Sequence, residues 1–575
     1  MIRVLSTNIT SPLGFTTEQN YQAVLSGASA LQRYEGLWGL LEPFAASLFC
    51  REQTEALALD GYTRFEALAI RSVREALSRI VLDIASPRII LILSTTKGNI
   101  GQSPSEAAQR IIEAIGLTTT PIVACNACVS GLSAQLLANY LLSAGFYDYA
   151  IVVGAEVQSK FIVSGFQSLK AVSDEPCRPF DIERIGLNLG EAAATIIFGQ
   201  PPSISPEGEG TEVSPRGDLE GALEETSEGT EAWATSWHLV AGATCNDAFH
   251  NISPSPKADG CTRAIEAVMN GRDKSQLATI CVHGTATLYN DQMESVAIQR
   301  AGLSDIPLSA LKGYYGHTMG AAGVLETILT MRATGDGVVL GSKGFTEVGV
   351  SGKVSISSKS QKTNKTSFLK LLSGFGGSNV AALYSKTTDF RLRPSEAKDG
   401  LSKIHSVRLS SEDGKSLTDI YKQEIGDYPK FYKMDILTRL AFVASEMLKK
   451  ESPALWGSLA RSSPVILFNH SSSLVADLQF LRTISDPEDF FPSPSVFTYT
   501  LPNITMGEMA IRHHLCGETS FCILPEKDET LMRRILEASL NLAGAKSAIS
   551  GWIDAESETS YECELSIYQT ADLRA

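Results

Sequence analysis

The chain of 575 residues is long enough for several domains of about 150 residues each. Its 43% hydrophobic and 20% charged residues are ordinary for a globular protein, and its net charge of −15 argues against general nucleic-acid binding, which needs a basic face. The ten cysteines are spaced irregularly, unlike a disulfide framework. The sequence shows neither an apolar leader nor the ~20 apolar residues of a membrane helix, so we expect a cytoplasmic protein that binds no membrane.

Strand and helix patterns alternate along the first part of the chain. The hydrophobic spacing predicts strands at 2–5 and 88–94 and helices at 20–25, 64–80 and 103–115. Such alternation predicts an α/β protein with a mostly parallel sheet covered by helices.

One short stretch draws attention to Cys128. An apolar run at 122–124 breaks into small residues and then opens onto a helical pattern near Ser130. This order places Cys128 near the start of a buried helix, where backbone N–H groups and the helix dipole favour a thiolate, so we expect a lowered thiol pKa and a nucleophile. Two other interpretations of Cys128 remain: a buried structural cysteine, or a redox pair with Cys125. A zinc site is not expected, because the sequence offers no second pair of ligands.

Strands predicted at 149–154 and 190–198 complete this first half, and a strongly acidic segment follows them. Between Pro201 and Glu231 nine acidic residues stand against one basic residue, Arg216. The segment lacks the apolar content needed to pack, so we expect an acidic disordered insertion at about 201–233.

The next part of the chain repeats the alternation and supplies two histidines. His283 directly follows a strand predicted at 277–282, and His317 precedes the small residues 320–323, which allow very close helix packing. Ligands bind at the carboxyl ends of strands in open parallel sheets. Two half-domains, each with a buried helix opening toward a common centre, would bring Cys128, His283, Lys312 and His317 together.

Four motifs in this order resemble the β-ketoacyl-ACP synthases, which have the thiolase fold. They are residues 126–131 around Cys128, residues 283–287, Lys312 followed by Gly316 and His317, and residues 373–379. The resemblance extends from about residue 2 to residue 386. It implies a layered αβαβα domain at 1–387, with halves at about 1–200 and 236–387.

The resemblance also implies roles for individual residues. Cys128 would take an acyl group from acyl carrier protein as a thioester, while His283 and His317 would hold the thioester carbonyl of malonyl-ACP during its decarboxylation. The backbone N–H groups of Cys128 and Phe375 would form an oxyanion hole, and Lys312 would act electrostatically and structurally. The residues expected to bind substrate or support the site are Thr285, Thr287, Glu326 as partner of Lys312, Gly374 and Gly376.

We expect no metal and no resident cofactor, because phosphopantetheine arrives on the acyl carrier protein. The resemblance implies acyl carrier protein as partner, together with a homodimer or a heterodimer with a ketosynthase-like protein. Asn126 and Val129 depart from the family pattern beside Cys128, which leaves the acyl chain length open.

The last third begins after a polar linker predicted at 388–402 and spans 403–575. Its residues 531–554 repeat 132–156 as a helix, an Ala-Gly turn and a strand that ends in an acidic residue. Pro525, Glu526 and Lys527 stand where Cys128 would be. This segment is similar to the N-terminal half of a non-catalytic ketosynthase of the chain-length-factor kind.

Two further points concern this last third. A half thiolase domain would leave sheet faces uncovered unless it packs on the first domain or on a partner. His513 and His514, on a segment that we expect to be extended, would point to opposite faces and therefore not share a metal.

The sequence thus predicts a decarboxylating Claisen condensation of acyl-ACP with malonyl-ACP to 3-oxoacyl-ACP, in fatty acid or polyene or polyketide biosynthesis. One alternative is a non-catalytic partner, like a chain-length factor, of another ketosynthase. The other is a condensing enzyme that uses CoA substrates, although the Cys-His-His set disfavours a thiolase, whose family pattern is Cys-His-Cys.

Overall fold

The computed structural model describes residues 1–200, 233–387 and 400–570. The acidic insertion, apart from its last residue, and residues 388–399 of the linker lie outside these ranges, so their structure stays a prediction. None of the helices in the described ranges is long and apolar enough to cross a membrane.

The first part of the chain forms eight strands and six helices. In order they are β1 (Ile2–Thr10), α1 (Thr17–Leu25), β2 (Gln32–Tyr34), β3 (Phe44–Ser47), α2 (Arg51–Leu57), α3 (Arg64–Leu77), β4 (Ile89–Ser94), α4 (Pro104–Ile115), β5 (Ile122–Ala124), α5 (Ser130–Ser143), β6 (Tyr149–Glu156), α6 (Lys160–Ser168), β7 (Leu189–Gly190) and β8 (Ala192–Gly199).

The second part continues the same alternation. Its elements are β9 (His238–Asn246), α7 (Asp259–Met269), β10 (Leu277–Cys281), α8 (Leu288–Arg300), β11 (Pro307–Ser309), α9 (Lys312–Tyr315), α10 (Ala322–Gly335), β12 (Val338–Val339), β13 (Ser355–Ile356), β14 (Gln361–Lys362), β15 (Ser367–Gly374) and β16 (Ser378–Ser385).

The last third contains β17 (Leu401–Ser410), α11 (Leu417–Glu424), α12 (Ile436–Glu451), α13 (Pro453–Gly457), β18 (Val465–Asn469), α14 (Leu474–Ser485), α15 (Pro494–Tyr499), α16 (Ile504–His513), β19 (Thr519–Ile523), α17 (Glu529–Ala543), β20 (Ser547–Ser557) and β21 (Ser560–Thr570). β17 begins at Leu401, inside the predicted linker, which is therefore shorter than expected.

One mixed sheet of 16 strands runs through all three parts, in the order β13-β11-β10-β15-β16-β9-β1-β8-β6-β4-β5-β19-β18-β20-β21-β17. The order β5-β4-β6-β8-β1 of the first part recurs as β19-β18-β20-β21-β17 in the last third. In the first part β4 is parallel to both of its neighbours, β5 and β6. In the last third β18 is likewise parallel to both of its neighbours, β19 and β20. The internal repeat of a half-domain that the sequence predicts is therefore present.

Helices cover the sheet in layers. α5 and α10 are buried along almost their whole length and contact each other between the two halves of the first domain, while α3 and α4 cover one outer face and α7 and α8 the other. The result is the layered αβαβα arrangement that the sequence predicts for this domain.

Glycines make the close contact of α5 with α10 possible. A Cβ atom on Gly131 would lie 2.8 Å from the carbonyl oxygen of Gly320 and 3.0 Å from Cα of Gly323, and one on Gly323 would lie 2.5 Å from the backbone nitrogen of Leu132. Since all these neighbours are backbone atoms, they cannot move aside as a flexible side chain would.

The last third docks on the first domain through β5. β5 pairs antiparallel with β19, with Ala124 opposite Cys522 and Val123 opposite Ile523. This pairing covers the edge of β19. The faces that the sequence predicts to be uncovered are covered by helices: α12 packs on one face, and α17 lies on the other and packs against α5 of the first domain.

Three predictions were wrong. The sheet is not mostly parallel, because eight of its 15 strand pairings are antiparallel. β1 extends to Thr10, well beyond the predicted end at Leu5, because β8 pairs with it over that length. His513 ends the helix α16 and His514 is its left-handed C-cap, so the two histidines do not lie on an extended segment. His513 lies 3.0 Å from the hydroxyl of Ser445 and is buried there.

We expect Gly131→Ala to destabilise the protein by about 1–3 kcal/mol, because the added methyl group overpacks a contact between two backbones. Equilibrium unfolding in urea measures this change. Gly457→Ala is the matched control, since nothing lies within 4 Å of a Cβ at Gly457. Equal midpoints for the two variants would contradict the close helix contact.

Candidate active site

The turn that carries Cys128 is fixed by its neighbours. β5 ends at Ala124, a single 3-10 turn covers Ala127–Val129, and α5 follows at once. The Ser130 hydroxyl accepts a hydrogen bond from the backbone N–H of Asn126 at 2.8 Å and donates to the carbonyl of Ala127 at 2.6 Å. Ala127 takes a φ of 49°, which turns the chain sharply before Cys128. The predicted order of strand, turn and helix is confirmed.

A similar turn carries His317 into α10. The backbone N–H of His317 donates to the carbonyl of Asn188 at 2.6 Å, and its carbonyl accepts from Gly190 at 3.0 Å. Met319 then takes a φ of 46°, and a 3-10 turn at Met319–Ala321 leads into α10. Two strained turns, one in each half-domain, therefore face a common centre.

The structure brings the predicted nucleophile and both histidines together. The sulfur of Cys128 and one ring nitrogen each of His283 and His317 lie within 4.8 Å of one another. The two imidazole rings are 5.1 Å apart between centroids and nearly perpendicular, at 80°. His283 lies two residues after the end of β10, at the carboxyl end of a parallel strand as the sequence predicts.

Hydrogen bonding determines which nitrogen of His317 carries the proton. The backbone N–H of Met319 donates to Nδ1 of His317 at 3.2 Å, so the proton of the neutral ring sits on Nε2. Nε2 of His317 and Nδ1 of His283 belong to the buried polar atoms of the described residues that have no hydrogen-bond partner. Burial, reinforced by Lys312 and Lys370, holds the pKa of both histidines well below its usual range, so both rings are neutral.

Three buried charges lie behind the histidines. Lys312 Nζ donates to the carbonyl of His283 at 2.6 Å and to Glu326 Oε1 at 2.7 Å, while Lys370 Nζ donates to Glu326 Oε2 at 2.6 Å. Burial opposes ionisation of Glu326, but the two ammonium groups outweigh it and lower the pKa of this carboxyl. The predicted pair of Lys312 and Glu326 is present, and sequence reasoning missed Lys370.

Sequence reasoning also missed the carboxylate that fixes the His283 loop. Glu294 on α8 accepts hydrogen bonds from the backbone N–H groups of His283 at 2.7 Å and Gly284 at 2.8 Å. Burial raises the pKa of Glu294 to about 7. The sequence does show Glu294 as an acidic residue on the helix that begins directly after the motif at 283–287, and this pattern could have indicated its role.

The expected low pKa of Cys128 is wrong. Burial raises the pKa of this thiol to about 12, although Lys312 and the backbone N–H of Cys128 itself act in the opposite direction. The helix start lowers the thiol pKa only through its local field, whereas desolvation by the surrounding protein raises it and dominates. In the resting protein the group is therefore a thiol near two neutral imidazoles.

A cavity of about 300 Å³ leads to Cys128. Cys128, His283 and His317 lie on its wall, and so do Thr285 and Thr287, whose hydroxyl oxygens are 2.9 Å apart. Further wall residues are Gly374, Phe375 and Asn379 on one side and Ile185, Leu288 and Tyr289 toward solvent. Such a cavity can hold a thiol-ended arm that reaches from the surface to Cys128.

Two residues predicted at the substrate lie elsewhere. Glu326 sits behind His283 with both carboxylate oxygens bound by lysines. Gly376 turns away from the cavity with a φ of 84° and packs against Asn503 of the last third. Lys312 likewise lies behind the histidine and not on the cavity wall, and its electrostatic role stays a prediction.

The last third closes the other side of Cys128. A second space of only about 10 Å³, room for about one water molecule, lies there between Cys128, Phe166, Phe375 and Phe497. Phe497 of α15 presses on Gly165, where a Cβ atom would lie 2.1 Å from its ring. Nearby, Lys97 is buried and donates to Asp477 of α14 at 2.6 Å.

Family models match both halves of the first domain. Residues 91–200 match the N-terminal domain of beta-ketoacyl synthases, and residues 238–346 match their C-terminal domain. Nodulation protein E of Rhizobium sp. strain N33 is 28% identical over 243 residues, covering 41% of this chain and 54% of that protein. The 3-oxoacyl-[acyl-carrier-protein] synthase 2 of Vibrio cholerae is 27% identical over 375 residues, covering 57% of this chain and 84% of that protein.

Solved structures share the architecture. The PfaC keto synthase–chain length factor matches 100% of this chain and 79% of its own, with a TM-score of 0.75 and 12% identity. The ketosynthase ApeO from Xenorhabdus doucetiae, in complex with its chain length factor ApeC, matches 67% of this chain and 97% of its own, with a TM-score of 0.53 and 21% identity. At these identities the likeness establishes the fold.

The chain has the thiolase-like fold of these solved structures, which confirms the predicted fold class. Two segments of the chain, 91–200 and 238–346, are similar to the N- and C-terminal domains of the β-ketoacyl synthases, the family that the sequence motifs resemble.

We expect the rate of alkylation of Cys128 by iodoacetamide to rise about tenfold per pH unit from about pH 7 to about pH 9.5, without levelling off, because a thiol with a pKa of about 12 is protonated throughout that range. Peptide mapping by mass spectrometry follows the modified residue, and Cys128→Ala identifies the background from other cysteines. A plateau near pH 8 would contradict the dominance of burial.

Proposed function

We propose that this protein catalyses a decarboxylating Claisen condensation of an acyl-ACP with malonyl-ACP to give 3-oxoacyl-ACP. The observation that carries the proposal is a buried thiol within 4.8 Å of two neutral imidazoles at the end of a cavity open to solvent. The family matches support a ketosynthase-type condensing function in fatty acid or polyketide synthesis.

In the first step Cys128 attacks the thioester of the acyl carrier. The thiol proton passes to His283, because the acceptor nitrogen of His317 is already occupied by the N–H of Met319. His283 then returns the proton to the departing pantetheine thiolate, so an acyl–cysteine thioester and a free carrier thiol result. The backbone N–H groups of Cys128 and Phe375 are the proposed donors to the oxyanion of this step.

In the second step the malonyl group loses CO₂. Decarboxylation moves negative charge onto the malonyl thioester oxygen, where Nε2–H of His317 and a ring N–H of His283 donate hydrogen bonds that are stronger in the transition state than in the ground state. The resulting carbanion attacks the acyl group on Cys128 and expels the cysteine thiolate, which takes up one proton from solvent.

The partner and the cofactor follow from this chemistry. The acyl carrier protein would bring its own phosphopantetheine, and we propose that this arm contacts Thr285 and Thr287, which line the cavity. We propose no resident metal or cofactor. A cytoplasmic location remains a prediction from the sequence.

The last third is proposed as the ketosynthase-like partner, covalently attached. The edge of β5 is occupied by β19, so a separate partner subunit is not needed at this position. This would assign a non-catalytic role to the last third only, because the first domain holds Cys128, His283 and His317 together. A function of the whole chain as a non-catalytic factor, or with CoA substrates, stays the alternative.

The decisive experiment combines two reactions and two variants. Wild-type protein incubated with an acyl-loaded acyl carrier protein should gain the mass of one acyl group, while Cys128→Ala should gain none yet still release CO₂ from malonyl-ACP. His317→Ala should still be acylated at Cys128. Its decarboxylation of malonyl-ACP should be slower by about 10²–10³, because one donor to the developing oxyanion is lost.

Intact mass spectrometry and a CO₂ assay measure the two steps, with EDTA present because a Cys-His-His set can also bind zinc. If the wild type is never acylated by the carrier, the condensing function is wrong. Acylation by acyl-CoA at an equal or higher rate would favour the CoA-dependent alternative.

We expect Phe497→Ala to admit longer acyl groups, because Phe497 fills the side of Cys128 where space remains for only about one water molecule. The ratio of octanoyl to acetyl loading at Cys128 should rise about tenfold or more, since each methylene that finds an apolar site contributes about 0.8 kcal/mol. Phe480→Ala is the matched control: Phe480 packs against Phe497, 5.2 Å between ring centroids, but does not line the pocket. An equal rise of the octanoyl-to-acetyl ratio in both variants would show that Phe497 does not limit the length of the acyl group.

A further inference from the structure

The loop that carries Phe375 connects β15 to β16 and is bound by the last third. Asn503, the residue before α16, donates from Nδ2 to the carbonyl of Phe375 at 2.7 Å. One turn later, Gly507 lies so close to this loop that a Cβ atom on it would be 2.9 Å from Cα of Gly376. The contact joins residues 128 positions apart in the chain.

The peptide group that follows Phe375 is held on both edges. Its carbonyl accepts from Asn503, and its N–H, which belongs to Gly376, donates to the carbonyl of Asn251 at 2.6 Å. The carbonyl of Gly376 in turn accepts from Nδ2 of Asn246 at 2.8 Å. With three polar groups fixed, the loop has little freedom to rotate.

A second residue of α16 supports the same loop indirectly. Glu508 is fully buried, and it accepts hydrogen bonds from the side chain of Asn251, from the hydroxyl of Tyr499 at 3.1 Å and from Lys430 at 2.7 Å. Asn251 therefore presents its carbonyl to Gly376 from a position that the last third determines.

The proposed oxyanion donor depends on this arrangement. The N–H of Phe375 belongs to the peptide group directly before the clamped one, so rotation of the clamped group would turn Phe375 and redirect its N–H. Gly374 is already in close contact with the turn of the nucleophile, since a Cβ atom on it would lie 3.5 Å from the backbone nitrogen of Cys128. A displacement of about 1 Å at such a donor can cost about 10²-fold in rate.

We infer that Asn503 is a positioning residue for acyl transfer: through Asn503 the last third orients the Phe375 N–H beside Cys128. This inference rests on the proposed function, because it assigns the Phe375 N–H to the acylation step. Asn503 touches neither substrate nor Cys128 in this role and acts through the loop alone.

The test compares the two half-reactions in Asn503→Ala. Acylation of Cys128 by an acetyl-loaded acyl carrier protein should slow by about 10–100-fold, whereas decarboxylation of malonyl-ACP, which depends on His283 and His317, should stay within about twofold of wild type because those donors are not moved. Asn503→Asp, of equal size but without the N–H donor, should slow acylation as much as Asn503→Ala.

Thr505→Ala is the matched control. Thr505 lies on the same helix, is equally buried and loses one hydrogen bond, 3.1 Å to Thr438, that does not reach the loop. Its acylation rate should equal that of wild type. This control separates loss of a buried hydrogen bond in α16 from loss of the contact to Phe375.

Each outcome decides the question. Slow acylation with intact decarboxylation in both Asn503 variants supports the inference. Wild-type acylation in Asn503→Ala, or an equal loss of both half-reactions, overturns it while leaving the proposed function intact. A wild-type protein that is not acylated at all overturns the proposed function and the inference together.

Discussion

The antiparallel pairing of β5 with β19 is the contact on which the site depends. β5 ends four residues before Cys128, and the pairing continues past its end: Cys125 N–H donates to the carbonyl of Phe521 at 3.1 Å, and Phe521 N–H donates to Oδ1 of Asn126 at 2.8 Å. The turn that presents the nucleophile is thus hydrogen-bonded on one side to the last third. An unpaired β5 would expose its backbone groups and leave Asn126 without this anchor.

Buried charge gives the other side of the site its chemical character. Two ammonium groups share one carboxylate in the cluster of Lys312, Lys370 and Glu326, so an excess positive charge lies behind His283. That charge disfavours protonated histidine and favours negative charge that develops on a substrate oxygen. Such a cluster is costly to bury, but its hydrogen bonds to the His283 region also hold that loop in place.

The sequence predicts the local features of the site well and the non-local ones poorly. The turn at Cys128 follows from a pattern within about ten residues, and the two histidines follow from the ordered motifs. Lys370 was missed because a lysine on a buried strand shows no signal until Glu326 is placed opposite it. The thiol pKa was wrong for the same reason: the helix start is visible in the sequence, whereas complete burial depends on every neighbouring element. No pattern links Asn503 to Phe375, since their contact arises only when β19 pairs with β5.

The repeat also explains why the described part of the last third has no counterparts of His283 and His317. The two histidines of the first site come from the second half-domain, where they follow β10 and α9, and the last third repeats only the first half-domain. Even a cysteine in place of Pro525, Glu526 or Lys527 before α17 would therefore lack its imidazoles. α14, α15 and α16 instead pack against the first site, where Asp477 binds Lys97, Phe497 fills the space beside Cys128, and Asn503 holds the Phe375 loop. The last third thus forms part of the wall around the site of the first domain.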